Sequence, residues 1–201
     1  MAVISSEIVK TLRDKTGAGM MDCKRALEET NGDLELATDY LRKKGAAVAA
    51  KRAEKEANQG VIEAYIHAGS RVGAMVELNC ETDFVAKTPE FKQLAHDIAM
   101  QIAAMSPLFV SKENVDEATL QKELEIYKAQ AVNEGKRPEI AEKIAEGRLE
   151  KFYQEVCLLE QSFIKDSGKT IKDLLSDATG KVGEKIGVRR FHRYHLGESP
   201  R

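Results

Sequence analysis

The sequence predicts an α+β protein: a three-helix N-terminal module, then a small antiparallel sheet covered by helices, with an antiparallel helical pair. Two patterns lead there. Apolar residues recur at helical spacing in short runs from Ile8 to Leu41, which gives each run one apolar face. From Val72 to Cys80 the spacing drops to two, as in a half-buried strand. After Pro89 the helical spacing returns and continues through two longer stretches joined at "GKRP" (Gly135–Pro138).

Ser5, Ser6 and Glu7 form an N-terminal cap for the first helix, which turns Ile8, Val9 and Leu12 inward and ends at "TGAG" (Thr16–Gly19). The second helix runs from Met20 to about Thr30 with Cys23, Ala26 and Leu27 inward. "NGD" (Asn31–Asp33) turns the chain, and Asp33 caps a third helix whose inner face is Leu34, Ala37 and Leu41. Gly45 is expected to stop it. Helices this short are unstable alone, so the three must pack together. "AAVAAKRAEKEANQG" (Ala46–Gly60) reads as a partly helical linker, since little apolar periodicity survives beyond Val48. The expected division is residues 1–54, module and linker, and residues 55–201, an α+β core of a dimerisation type.

Val61–His67 pairs with Val72–Cys80 as a hairpin across Ala68-Gly69-Ser70-Arg71. Thr88 followed by Pro89 is a helix start, a hydroxyl cap and then proline at the first helical position. That helix carries Phe91, Leu94, Ala95, Ile98, Ile102 and Met105 on one stripe and closes at Pro107. Two helices follow. One spans about Asp116–Glu134 and turns Leu120, Leu124, Tyr127 and Ala131 to one face. The other spans Pro138–Val156 and uses Ile140, Ile144, Leu149, Phe152 and Val156. Their short connection favours antiparallel packing. A capped turn at "TIKDLL" (Thr170–Leu175) leads to "EKIGVRRFHRYHLG" (Glu184–Gly197), a strand of mixed polarity that joins the hairpin.

Composition narrows the function. Thirty-one basic residues against thirty-three acidic ones leave a net charge of -2, so no global field draws the chain to nucleic acid or an anionic membrane. Cys23, Cys80 and Cys157 are scattered and lack metal-ligand spacing, which points to reduced thiols. No apolar run approaches a membrane span, and "MAVISSEIVKTLRDK" has neither a signal h-region nor a transit pattern, so a cytoplasmic location is expected.

Enzyme signals fail on inspection. "SGKT" (Ser167–Thr170) suggests a phosphate loop, but Phe163 stands where the pattern needs glycine. "GAG" (Gly17–Gly19) is half a dinucleotide fingerprint, yet it follows a helix and Asp22 replaces the third glycine. His192 and His195 point to opposite faces of a strand, and His67 and His96 have no metal-binding neighbours in sequence. No nucleophile–base set can be assembled, so no covalent catalysis, cofactor or metal is expected.

One stretch is left without an explanation. "CETDFVAKTPEF" (Cys80–Phe91) changes period midway, and Phe84 falls in the connection beside Asp83 although only 5% of residues are aromatic. Phe84 is either a surface residue or a core residue folded back under the hairpin. Met20 and Met21 are either helix-start packing residues or surface, and adjacent helical positions diverge so far that at most one can be fully buried. Arg13 reads as a solvated helix residue.

Together with "LRDKTGAGMMDCKRALEETNGDLELATDYLRKKG" (Leu12–Gly45), this stretch closely resembles the elongation factor Ts family, bacterial guanine-nucleotide exchange factors for elongation factor Tu. The first segment is similar to that family's ubiquitin-associated-like N-terminal module, the second to its signature between a core strand and helix. The likeness extends less densely through "AEKIAEGRLEKF" (Ala141–Phe152) to the C-terminal strand, nearly the whole chain.

The resemblance implies that Asp83 and Phe84, flanked by Thr82 and Val85, reach the nucleotide-binding domain of elongation factor Tu. There the phenylalanine wedges between helices and disturbs the site holding Mg²⁺ and the GDP phosphates. Arg13, Met20 and Met21 match a second contact to the same domain. No direct nucleic-acid or membrane partner is implied. Only one hairpin-and-helix unit is present where longer family members carry two, so this resembles the short form, and a homodimer is expected to complete the core. The competing reading is a translation-associated RNA-binding protein using Arg189, Arg190, Arg193 and nearby lysines, although such arginines on a terminal strand are more often a solvated or edge-protecting face. A small enzyme with an unrecognised site is the third.

Overall fold

The computed structural model describes residues 4–198. They form an α+β fold of eight α-helices and five β-strands, gathered in two compact units. One unit holds the described chain up to Gly60 together with Asn79–Thr88 and Asp173–Gly187. The other holds Val61–Leu78, Pro89–Lys172 and the described residues from Val188.

The first unit begins with α1 (Ser6–Thr16), α2 (Met20–Glu29) and α3 (Leu34–Arg52). The Ser5 hydroxyl accepts the Ile8 N–H to start α1, and Gly17 ends it at φ 68°, a left-handed conformation that costs glycine nothing. Asp33 accepts the N–H groups of Glu35 and Leu36 at 2.8 and 2.9 Å and starts α3. Val9, Leu12, Cys23, Ala26, Leu27 and Ala37 form the buried core of this trio. Leu34 and Leu41, expected inward, pack against it while remaining partly exposed.

Gly45 does not stop α3, which continues to Arg52. A glycine inside a helix costs about 1 kcal/mol relative to alanine, and the helix accepts it because α8 (Ile171–Val182) passes there backbone to backbone. A Cβ placed on Gly180 of α8 falls 2.6 Å from the Gly45 Cα. Of the turn expected at Thr170–Leu175, Ile171–Leu175 is the first part of this twelve-residue helix. Ile171, Leu175 and Thr179, four apart, are its buried stripe. The stripe is hard to read because threonine occupies its third position; the Thr179 hydroxyl accepts the Ile186 N–H at 3.1 Å.

In the second unit, β1 (Gln59–Ile66) and β2 (Val72–Cys80) form the expected hairpin, turning at Gly69 and Ser70, both with positive φ. β5 (Gly187–His195) adds to the other side of β2, giving the order β1-β2-β5 in a small antiparallel sheet. Central β2 buries Ala74, Val76, Leu78 and Cys80 as the alternation requires. The short α4 (Asp83–Ala86) follows in the first unit, and then α5 (Pro89–Met105), which buries Phe91, Ala95, Ile98 and Ile102. Met105, expected on that stripe, is exposed because the helix ends there.

Fully buried Gln101 of α5 donates to Gln161 Oε1 and the Ser162 carbonyl and accepts the Ile164 N–H. This network anchors a hairpin that sequence periodicity did not reveal, β3 (Ser162–Phe163) with β4 (Asp166–Thr170). The "SGKT" residues therefore lie in a strand.

α6 (Glu117–Asn133) and α7 (Pro138–Val156) form the expected helical hairpin, tied by Lys128–Glu142 and Arg148–Glu134 ion pairs at 2.8 Å. Its fully buried residues are small: Ala131, Ala141 and Ala145. Ile140, expected inward, is 49% exposed, since Ala141 and Ala145 take the seam. All three cysteines are free and buried, and burial pushes the Cys157 thiol up to about 11. No described helix is long and apolar enough to cross a membrane.

Candidate functional site

β2 ends where the apolar alternation ends, and the chain turns through Glu81 and Thr82 into the single turn of α4. Four residues cannot hold a helix by their own hydrogen bonds, because nucleation costs more than one turn returns. The turn is held from outside. Ala86 is buried and Val85 half-buried, which pins its inner side. The Thr82 N–H donates to Glu184 Oε2 at 3.0 Å, and its hydroxyl donates to Glu184 Oε1 at 2.7 Å. Glu81 answers in the opposite direction, accepting the Lys185 N–H at 2.7 Å and Arg52 at 2.9 Å. Lys185 Nζ donates to the carbonyls of Ala53 and Lys55 just past α3. Burial, reinforced by the charge of Glu184, pushes the Cys80 thiol up.

On this brace Phe84 is 80% exposed. The alternative of a core phenylalanine is thereby removed. Leaving such a ring in water forgoes about 1.5–3 kcal/mol of burial, so the fold itself gains little from Phe84. Asp83 is exposed beside it and paired with Lys87 one turn on.

That hydrogen bond, aided by the lysine charge, holds the Asp83 carboxyl below its ordinary 3.8. The pair is therefore complete at neutral pH, and its contribution is lost as pH falls through the lowered value. Lys87→Met should return the Asp83 titration, followed by carboxyl carbon resonance, toward 3.8. A titration that stays put would mean that the pair does not form in solution.

In the same compact unit, α2 starts at Met20 without a side-chain cap. Cys23, Ala26 and Leu27 occupy its inner face, leaving Met20 44% and Met21 69% exposed. Neither methionine is a core residue. Arg13 lies exposed on α1. Arg13, Met20, Met21, Thr82, Asp83, Phe84 and Val85 thus belong to one unit, and the apolar ones among them, Val85 apart, are exposed.

Sequence reasoning missed Arg52, Glu81, Glu184 and Lys185. Glu184 and Thr82 stand 102 positions apart, and an isolated glutamate in a polar segment carries no periodic signal. The arginines of the competing reading face acids. Arg190 lies 2.7 Å and Arg189 3.8 Å from Glu77, while Arg193 donates to the Ala103 carbonyl and to Glu198. Among the described residues, no group of three or more His, Cys, Asp or Glu side chains is placed to hold a metal ion.

A family model described as Elongation factor TS matches residues 5–198. Similar curated proteins include the Elongation factor Ts of Carboxydothermus hydrogenoformans, 61% identical over 196 residues that cover 98% of this chain and 90% of that protein. That of Moorella thermoacetica is 60% identical, covering 98% of this chain and 97% of that protein. That of Desulforamulus reducens is 59% identical over 198 residues, covering 98% and 91%.

Proposed function

Because this chain belongs to the elongation factor Ts family and is thus a translation elongation factor, we propose that it is the guanine-nucleotide exchange factor of elongation factor Tu. Phe84 enters the partner's nucleotide-binding domain and disturbs the site that holds Mg²⁺ and the GDP phosphates. Thr82, Asp83 and Val85 flank the wedge, and Arg13, Met20 and Met21 make a second contact. The observation that carries this reading is an 80% exposed phenylalanine on a braced single helical turn. No covalent step is required, because exchange needs only differential binding. Whatever free energy the chain uses to weaken GDP, GDP uses to weaken the chain. The nucleotide-free partner is therefore bound tightly and released by incoming nucleotide.

Stopped-flow release of a fluorescent GDP from elongation factor Tu tests this. Strong acceleration by the folded chain is expected, and its absence would overturn the assignment.

The same reading includes a homodimer built on residues 55–201. Ile62, Ile66, Met75, Tyr194 and Leu196 are large apolar residues exposed on or beside the three-stranded sheet, whose β1 and β5 are edges. Such a patch favours a mate. Light scattering at micromolar concentration should give about twice the single-chain mass of 22.3 kDa. The single-chain mass at every concentration would exclude the dimer.

A further inference from the structure

We infer that Glu184 is a positioning residue for the wedge, acting on Phe84 through Thr82. This inference rests on the proposed exchange function. Thr82 is the N-cap residue of α4, with extended backbone angles φ -124° and ψ 155°. Glu184 takes both of its hydrogens, the N–H at 3.0 Å and the hydroxyl at 2.7 Å. With its proton committed to the carboxylate, the Thr82 oxygen turns a lone pair to the Val85 N–H, at 3.5 Å. Phe84 lies between these two residues. Its direction is set by the backbone of α4, since most of the ring is in solvent.

The brace is reciprocal. Glu184 accepts the backbone N–H of Thr82, and Glu81 accepts the backbone N–H of Lys185. Two adjacent pairs thus cross-tie segments 102 and 104 positions apart. Charge-assisted bonds of this kind are stronger than neutral ones. Without them α4 must be ordered at the moment of binding, and that cost falls on association with the partner. Glu184 itself touches no nucleotide; its effect passes through the direction of the ring.

The test uses the full chain and elongation factor Tu loaded with fluorescent GDP. It compares the parent, Glu184→Ala, Glu184→Gln, Phe84→Ala and the double variant Phe84→Ala/Glu184→Ala. Glu184→Ala should lower kcat/KM for release about tenfold. Glu184→Gln keeps an acceptor for the Thr82 N–H and should recover part of this. In the Phe84→Ala background, removing Glu184 should change release by less than about twofold, because the group it positions is gone. Equal losses in both backgrounds would overturn the inference, as would an unchanged Glu184→Ala beside an active parent.

Hydrogen exchange of the free chain separates the brace from the exchange function. Glu184→Ala should expose the Thr82 and Val85 amides while the Leu27 and Ala37 amides stay protected. Unchanged protection at Thr82 overturns the inference even where the parent accelerates release. If the parent fails to accelerate release, the exchange function falls, and with it the role of Glu184 as a positioning residue for exchange.

Discussion

Phe84→Ala is expected to lower the acceleration of GDP release by about ten- to a hundredfold while leaving the stability of the chain within about 0.5 kcal/mol of the parent. The first figure follows from burial. A phenylalanine moved from water into a protein interior contributes about 1.5–3 kcal/mol, and each 1.4 kcal/mol is roughly tenfold in an equilibrium. The second follows from where the ring is in the free chain. At 80% exposure it has little burial to lose. A large effect on exchange with none on unfolding therefore separates a residue kept for a partner from one kept for the core. If acceleration persists unchanged in the variant, the wedge is not Phe84 and the mechanism moves to Arg13, Met20 and Met21. If the variant loses stability in step with activity, the ring packs in the free chain.

The second large effect concerns two glycines that look alike in sequence. Gly180→Ala is expected to destabilise the first unit by about 1–3 kcal/mol, the usual range for an overpacked contact. Gly45→Ala should be neutral or stabilising by up to about 1 kcal/mol through helix propensity. The asymmetry is geometric. A Cβ on Gly180 meets the Cα, carbonyl carbon and oxygen of Gly45 at 2.6, 3.2 and 3.3 Å, all backbone atoms that cannot swing aside. A Cβ on Gly45 meets the Gly180 Cα at 3.6 Å, an ordinary contact. Both sites are helical, so both gain propensity, and only at Gly180 does steric cost exceed the gain. Urea unfolding of the two variants measures this. Equal stabilities would mean that α3 and α8 do not meet at these residues in solution.

An exposed aromatic that enters another protein, as proposed for Phe84, gains from being held in one direction beforehand, because ordering it on binding subtracts from affinity. A four-residue helix at a strand end supplies that direction only when something else fixes its start. Here Glu184 and Glu81 supply the missing constraint.

Elements whose causes are local can be read from the order of residues. Ser5 and Asp33 are caps, Gly17 is a left-handed stop, and the alternation through β2 selects its buried side chains. Periodicity of two or three to four residues states which face is covered before any partner element is known. Phe84 stood out in the sequence for a related reason. It fits neither the strand period before it nor the helical period after it, which marked it out, but only the fold, which leaves it 80% exposed, removed the alternative of a core residue under the hairpin.

Features that depend on residues distant along the chain emerge only from the folded path. Gly45 reads as a stop, yet α3 runs through it because α8 approaches there. Ile140 reads as a seam residue, yet Ala141 and Ala145 are the buried residues of α7 and Ile140 is left 49% exposed. Glu184 reads as one acid among many until the fold brings it to Thr82 across 102 positions. A hydrogen bond or backbone contact between such residues leaves no periodic trace in either segment, because its cause is the path of the whole chain.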